Sequence, residues 1–496
     1  MTPTPMTDPA NKPSSLPAAA YAIAALAVVV RLVVVWKSHF TSEDFLITLR
    51  YAENLAQGHG LVYNVGERVL GTTTPLYTLL LAALAWLGLP PAPLGKMVNI
   101  LADAGLCLLT YRLLRGLGEE GAGRIAALCV ALCPLQIQWS VSGMETSLVS
   151  CCGMAVWVAF AERRNLWAYA AAAVLFLLRW DGILLFVVLT LATVWRDRRL
   201  PLGGLLLFAV VIAPWLLFAT RFYGNPIPVT AAAKSIVYGW RAQHDPSLLL
   251  RHLPALPSLC RRFFLSPGYG AMTLLAWAGL LRGRQERHGV LLPLALWFAL
   301  YWLAFLISRV LLFPWYFVPP LAVYEVAVGL GGVAVWEWLQ RRRRFDVPRP
   351  VSAVLLCMLV AACTVGTTVM TRGEQDVEEK VRIPLALWLK AHSRPTDRIM
   401  LEPIGTIGYY AHRPILDVVG LVSPQALRFY RPQIEAPMLE MARAFRPEWC
   451  VLRPGEIARI QRAARAQGDP WEDHYRLMRT FSYALENNVY YVYERR

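Results

Sequence analysis

Residues 18–44 read AAAYAIAALAVVVRLVVVW, then KSHFTSED: nineteen residues with a single charge, Arg31, followed by a polar turn that ends in the acidic pair Glu43-Asp44. Nineteen helical residues extend about 28 Å, close to the ~30 Å hydrocarbon core of a bilayer. The stretch therefore reads as a membrane span that opens directly onto carboxylates. Eleven further apolar blocks follow, at 75–89, 94–114, 125–139, 147–160, 166–178, 183–195, 202–219, 271–281, 290–307, 315–338 and 351–370. The 496 residues are 56% hydrophobic and 17% charged, with mean hydropathy +0.43, against about 45–50% apolar and about 25% charged in soluble domains. A soluble enzyme, a disordered chain and a fibre are excluded, and an α-helical polytopic membrane protein is expected. Met1 to Leu16 lacks the basic start and small-residue cleavage pattern of a secretory signal, so the first block is expected to remain as an anchor.

The net charge of +16 would suggest nucleic acid in a soluble protein. Its distribution argues otherwise. From Arg372 onward there are 19 basic and 16 acidic residues, a net of +3, so +13 belongs to the membrane part. Arginine-rich runs between apolar blocks are topology determinants under the positive-inside rule. If all twelve blocks crossed, Arg112, Arg115, Arg124, Arg163 and Arg164 would fall outside. If the short, proline-led block 75–89 does not cross, every basic loop lands in the cytoplasm, which leaves about eleven crossings.

The same alternation places outside the loops 37–74 and 221–270, the turns near Ser140–Thr146 and Arg179–Gly182, and everything after about Thr371. The expected organisation is a cytoplasmic N-terminus at 1–17, a transmembrane domain at 18–370, and a soluble extracytoplasmic α/β domain at 371–496. Within the tail, 381–391, 405–410 and 438–445 read as helices, and 398–402, 415–419, 449–452 and 488–493 as strands. Seven of nine cysteines lie in apolar segments, and no metal-ligand spacing appears; Cys260 and Cys450 alone sit in polar regions, where they could pair.

Candidate chemistry gathers in the outer loops. Either of Glu43 and Asp44 could take a proton from an acceptor hydroxyl; as an alternative they cap a helix. Glu145 opens a helix and could orient an acceptor or hold a cation, or serve only as a cap. Asp181 could bind sugar hydroxyls, or pair locally with Arg179. Positive charge for a phosphate is offered by Lys234 and Arg309; alternatively the lysine snorkels and Arg309 anchors the interface beside Phe313-Pro314-Trp315-Tyr316. Asp103 and Glu325 fall within spans, where charge is expensive, and Arg31 or a helix carbonyl could satisfy them. His59, in a Gly-His-Gly turn with no second histidine nearby, suits a loop or acceptor contact better than a metal.

The first loop carries a distinctive order: Glu43-Asp44, then Arg50-Tyr51-Ala52-Glu53-Asn54-Leu55, Gly58-His59-Gly60-Leu61-Val62-Tyr63-Asn64, Gly66-Glu67-Arg68-Val69 and Thr73-Thr74-Pro75-Leu76-Tyr77. Further pieces are Ser142-Gly143-Met144-Glu145-Thr146-Ser147, Arg179-Trp180-Asp181-Gly182, and Tyr223-Gly224-Asn225-Pro226-Ile227-Pro228 with Lys234. The tail adds Gly405-Thr406-Ile407-Gly408-Tyr409-Tyr410 and Asp417 to Pro424. This order resembles bacterial GT-C fold glycosyltransferases, and is similar above all to those like the terminal arabinofuranosyltransferases of mycobacteria. The resemblance implies a GT-C-like transmembrane catalytic domain and a polyprenyl-phosphate sugar donor. It also implies a glycan, lipid or protein acceptor and a bacterial inner membrane with the tail outside. Arg50, Tyr63 and His59 would be substrate contacts. The family's acidic pair is usually Asp-Asp, so Glu43-Asp44 leaves the base open between the retained aspartate and the first position. A divalent cation, Mg²⁺ or Mn²⁺, could assist. An inverting sugar transfer is the expected activity, and a flippase for a lipid-linked sugar is the alternative. Transporters place binding groups near the midplane of repeated halves, whereas the polar motifs here lie in outer loops and no repeat stands out.

Overall fold

The computed structural model describes residues 15–244, 267–285, 289–308, 312–342, 349–483 and 488–496. Its helices run α1 (Ala18–Ser38), α2 (Glu43–Ala56), α3 (Pro75–Trp86), α4 (Pro91–Gly116), α5 (Glu120–Leu132), α6 (Pro134–Val141), α7 (Thr146–Ala161), α8 (Asn165–Leu178), α9 (Ile183–Asp197), α10 (Leu202–Tyr223), α11 (Val229–His244), α12 (Pro267–Gln285), α13 (Leu291–Ser308), α14 (Val318–Arg342) and α15 (Arg349–Val377). Among the described residues six helices, α1, α4, α10, α13, α14 and α15, are long and apolar enough to cross a bilayer, and the bent pair α5–α6 makes a seventh. The eleven expected crossings are reached only if α7, α8, α9 and α12 cross as well. Helix α3, expected not to cross, has 12 residues, about 18 Å against a ~30 Å core. Helices α7 and α8 have 16 and 14 residues, so length alone does not set α3 apart.

Helix α14 is the hub of the bundle, with 78% of its apolar stretch buried in protein, whereas the stretch beginning with α15 is only 6% buried. Its close approach to α12 depends on glycine. A Cβ at Gly279 would collide with the Ala327 carbonyl, and one at Gly331 with the Leu275 carbonyl. Small residues let helix backbones meet where lipid supplies no hydrophobic drive. Asp103 on α4 is satisfied as expected, by Arg31 on α1 at 2.7 Å. Glu325 on α14 is not: it is fully buried, and neither carboxylate oxygen has a hydrogen-bond partner among the described residues.

Helix α15 runs past the expected boundary near Thr371 to Val377, then through a π-helical turn at Glu378–Arg382 into α16 (Ile383–His392). Beyond it lie β1 (Ile399–Leu401), α17 (Gly405–Ala411), β2 (Ile415–Asp417), α18 (Pro437–Phe445), β3 (Trp449–Leu452), α19 (Pro454–Ala466), α20 (Trp471–His474), β4 (Tyr475–Ser482) and β5 (Val489–Arg495). They build one sheet in the order β2-β1-β3-β5-β4. Strand β1 is parallel to β2 and β3, and β5 is antiparallel to β3 and β4. The three parallel strands are buried throughout, which is why they read as nearly unbroken apolar runs. Cys450 is a buried free thiol in β3, and Cys260 lies outside the described residues.

Helix α11 ties this tail domain to the bundle. Val237 and Trp240 sit in the domain's own core, and the Trp240 indole donates to the Arg431 and Ile434 carbonyls, each at 3.1 Å. Arg241 of α11 and Arg453 of the tail both bind Glu402. Burial pushes the Glu402 carboxyl up, but the two guanidiniums outweigh it and bring it from 4.5 down to about 2. A carboxyl depressed in this way stabilises the fold above pH 4.5, and that contribution, about 3 kcal/mol, is lost as pH falls toward 2. Acidification through that window should therefore release α11 from the tail, read as a change in Trp240 fluorescence. In Glu402→Gln the change over the same window should be small.

Candidate active site

The acidic pair opens α2, where carboxylates favour the helix dipole. The N-terminus of α2 is pinned from the side: the Ser42 amide donates to the Ser142 carbonyl at 2.9 Å, and the Ser42 hydroxyl contacts Met144 Sδ at 3.3 Å. The two carboxylates then part. Glu43 turns to the tail and accepts from the Gly405 amide at the start of α17. Burial, then the neighbouring Asp44 charge, hold the Glu43 carboxyl well above its ordinary value, against the opposing pull of Arg382. Asp44 has no hydrogen-bond partner among the described residues, and its charge acts on Lys234 and Tyr238.

Lys234 projects from α11 into an aromatic cage. Its Nζ lies 3.4 Å from the Tyr316 hydroxyl, 4.8 Å from the centre of the Phe313 ring, and 5.7 Å from those of Trp315 and Tyr316. Burial opposes the charge of Lys234, but Tyr316 and Asp44 favour it, and the ammonium is held above its ordinary value. Cation–π attraction to the ring faces acts in the same direction. The cage exists because Pro314 starts a 3₁₀ turn, Pro314–Phe317, that splays these rings ahead of α14.

Arg179 also approaches Tyr316, its guanidinium carbon 5.4 Å from the ring centre. Arg179 ends α8 in an extended conformation and reaches two carboxylates. It binds Asp181 at 2.7 Å, the local pair considered from sequence, and also Glu145 at 3.2 Å. The side chains of Glu145, Arg179 and Asp181 are 3%, 8% and 21% exposed, so Asp181 alone faces open space. Asp181 also borders a narrow, mainly apolar cleft with Ser150, Trp157, Trp297 and Tyr301, which descends along α7. The turn bearing Glu145 needs glycine: Gly143 has φ +91°, and a Cβ there would strike the Phe45 ring.

Contacts thus join Lys234, Tyr316, Arg179, Glu145 and Asp181, and the Asp44 charge acts on the Lys234 end. Tyr316 was not picked out as a site residue in the sequence, because its aromatic cluster matches a membrane-interface belt equally well. Arg50 and Tyr63 are not brought to this cluster. Arg50 donates to the carbonyls of Tyr63 (2.9 Å), Gly408 (2.7 Å) and Arg413 (2.7 Å), and the Tyr63 hydroxyl donates to Ile404 at 2.6 Å. Both clamp the tail domain onto α2. His59 sits in an exposed turn, and Arg309 lies outside the described residues. Lys96, unremarked in the sequence, holds the chain ahead of the acidic pair through the Phe40 carbonyl and the Thr41 hydroxyl. Among the described residues no three His, Cys, Asp or Glu side chains converge as metal ligands. Of the four carboxylates here, Glu43 accepts from Gly405, and Glu145 and Asp181 share Arg179, which leaves Asp44 alone without an ion-pair partner among the described residues.

Residues 371–493 match a family described as a domain of unknown function, DUF8728. The chain is 30% identical over 228 residues to the terminal β-(1→2)-arabinofuranosyltransferase of Mycobacterium tuberculosis, a match covering 40% of this chain and 35% of that protein. It is 28% identical over 240 residues to the enzyme of the same name from Corynebacterium glutamicum, covering 40% and 34%. These matches span about a third of the length of the relatives. Among solved structures, ArnT from Cupriavidus metallidurans bound to undecaprenyl phosphate superposes with TM-score 0.58 and 14% identity, covering 95% of this chain and 97% of that one. The oligosaccharyltransferase of Archaeoglobus fulgidus gives 0.56 and 16%, covering 96% and 73%. The chain has the GT-C fold, a bundle of apolar helices that carries a small C-terminal sheet domain.

Proposed function

We propose that the chain is a membrane glycosyltransferase that moves a sugar, arabinofuranose by its relatives, from a polyprenyl-phosphate carrier to a cell-envelope acceptor. The observation that supports it best is a carboxylate, Asp44, with no hydrogen-bond partner among the described residues, whose charge acts on the half-buried ammonium of Lys234. In this reading Asp44 takes the proton of an acceptor hydroxyl as its oxygen bonds to the anomeric carbon. The bond from that carbon to the phosphate oxygen breaks, and its electron pair leaves with the polyprenyl phosphate. Attack opposite the leaving group inverts the anomeric centre. Lys234 meets the negative charge that develops on the phosphate, in a site shielded by three rings where such a charge pair is worth more than in water. Asp181 receives sugar hydroxyls. In this reading the chemistry takes place on the non-cytoplasmic face of a bacterial inner membrane, with the tail domain on the same side, an orientation that the arginine-rich loops support.

Purified protein incubated with a radiolabelled polyprenyl-phosphate arabinose and a membrane glycan acceptor tests the reading. Label in the acceptor supports it. Donor that crosses vesicle membranes unmodified makes the protein a flippase instead.

A further inference from the structure

We infer that the buried chain Arg31–Asp103–Gln136 is a positioning device that aims α6, and with it the Ser142–Glu145 turn, at the active site. Helix α5 ends at Leu132 and α6 begins at Pro134, with a bend of 53° between them. Proline cannot donate to the carbonyl four residues back, so Val130 loses its helical partner, and the bend strands the Ala131 carbonyl next to it. Arg31 of α1 fills both vacancies, donating to Val130 at 3.0 Å and to Ala131 at 2.7 Å. Its Nε meets Asp103 at 2.7 Å. The other Asp103 oxygen accepts from the Gln136 amide, in the first turn of α6, at 2.6 Å. One guanidinium thus fastens the end of α5 to α1 and, through α4, to the start of α6. All three side chains are fully buried, in a setting where charge is costly and an unbroken helix would need none.

The angle so fixed decides where the far end of α6 lies. From Gln136 to Val141 the helix rises about 7.5 Å, so a 10° error at Gln136 moves Val141 by about 1.3 Å. From Val141 the chain passes into Ser142, whose carbonyl holds the start of the Asp44 helix. Gly143 follows, its carbonyl held by the Tyr77 hydroxyl at 2.6 Å, and then Glu145 on Arg179. A misaligned α6 therefore disturbs both halves of the site at once.

The kinetic part of the test rests on the proposed sugar transfer; the structural part does not. Gln136→Met keeps the volume and the Arg31–Asp103 pair and cuts only the tether to α6. In the purified full chain, kcat is expected to fall about tenfold or more with KM within about twofold, since misplacement of about 1 Å can cost 10²-fold. Hydrogen exchange of the peptide 142–146 is expected to accelerate, with that of α19 unchanged. Unaltered exchange across 142–146 with wild-type kcat overturns the inference. A wild-type protein that transfers no sugar overturns the transferase reading instead, and exchange alone then decides the brace. Should Gln136→Met fail to fold, Arg31→Lys carries the same readouts: it keeps a charge beside Asp103 but cannot reach two carbonyls and the carboxylate together.

Discussion

Asp44→Asn should lower kcat for sugar transfer by about 10²- to 10⁴-fold, the loss that accompanies removal of a general base, with donor KM little changed. The substitution keeps the shape and the start of α2, so the protein should elute and melt as wild type. Asparagine cannot take the acceptor proton, and it removes the negative charge that faces Lys234. Glu43→Gln should behave differently. A glutamine oxygen still accepts from the Gly405 amide, and the substitution relieves a buried carboxyl that already resists ionisation. Its rate should stay within about tenfold of wild type, because the general-base contribution stays with Asp44. Initial rates of labelled transfer by both variants separate the two carboxylates. An inactive Glu43→Gln with an active Asp44→Asn would move the base to Glu43, and full activity in both would remove the base from the pair altogether.

The acidic pair shows why neighbours in sequence need not share a role. Successive residues at a helix start point about 100° apart, so Glu43 meets the tail while the charge of Asp44 acts on α11. Only the tail domain's placement reveals this, and no local pattern encodes it. The membrane helices were legible because apolar runs declare themselves by length. The tail was legible in its interior: β3 lies where its apolar run begins and ends, at Trp449–Leu452. Its periphery was not. Strand β4 is exposed along most of its length, so it has no inward face to mark a period of two. Helix α19 carried its signals, proline at the start, Glu456 in a capping box, and Ile457, Ile460 and Ala464 on one face, and went unread. Arg50 and Tyr63 stood in the right motif. Side chains that grip backbone carbonyls and side chains that grip substrate are the same residue types, so the motif alone could not divide them.

The link from Arg179 to Glu145 spans 34 residues and yields the largest expected effect on stability. Arg179 neutralises part of a buried cluster that would otherwise hold two carboxylates with no cation. Arg179→Met should therefore destabilise the protein by about 3–5 kcal/mol, the usual outcome when one partner of a buried ion pair is removed, read as a lower unfolding midpoint in detergent and a poor yield of monodisperse protein. Pairing the change with Glu145→Gln removes the most buried of the stranded charges and should recover much of that loss. Activity should not follow. Asp181 takes its orientation from two guanidinium contacts, Nε at 3.1 Å and a terminal nitrogen at 2.7 Å, and in the double variant it has neither. A stable but slow double variant assigns Arg179 a role in holding Asp181 toward substrate. One restored in both stability and rate reduces the triad to a structural ion pair. Arg179→Lys should fall between: an ammonium is a point charge without the planar fork that serves both carboxylates at once.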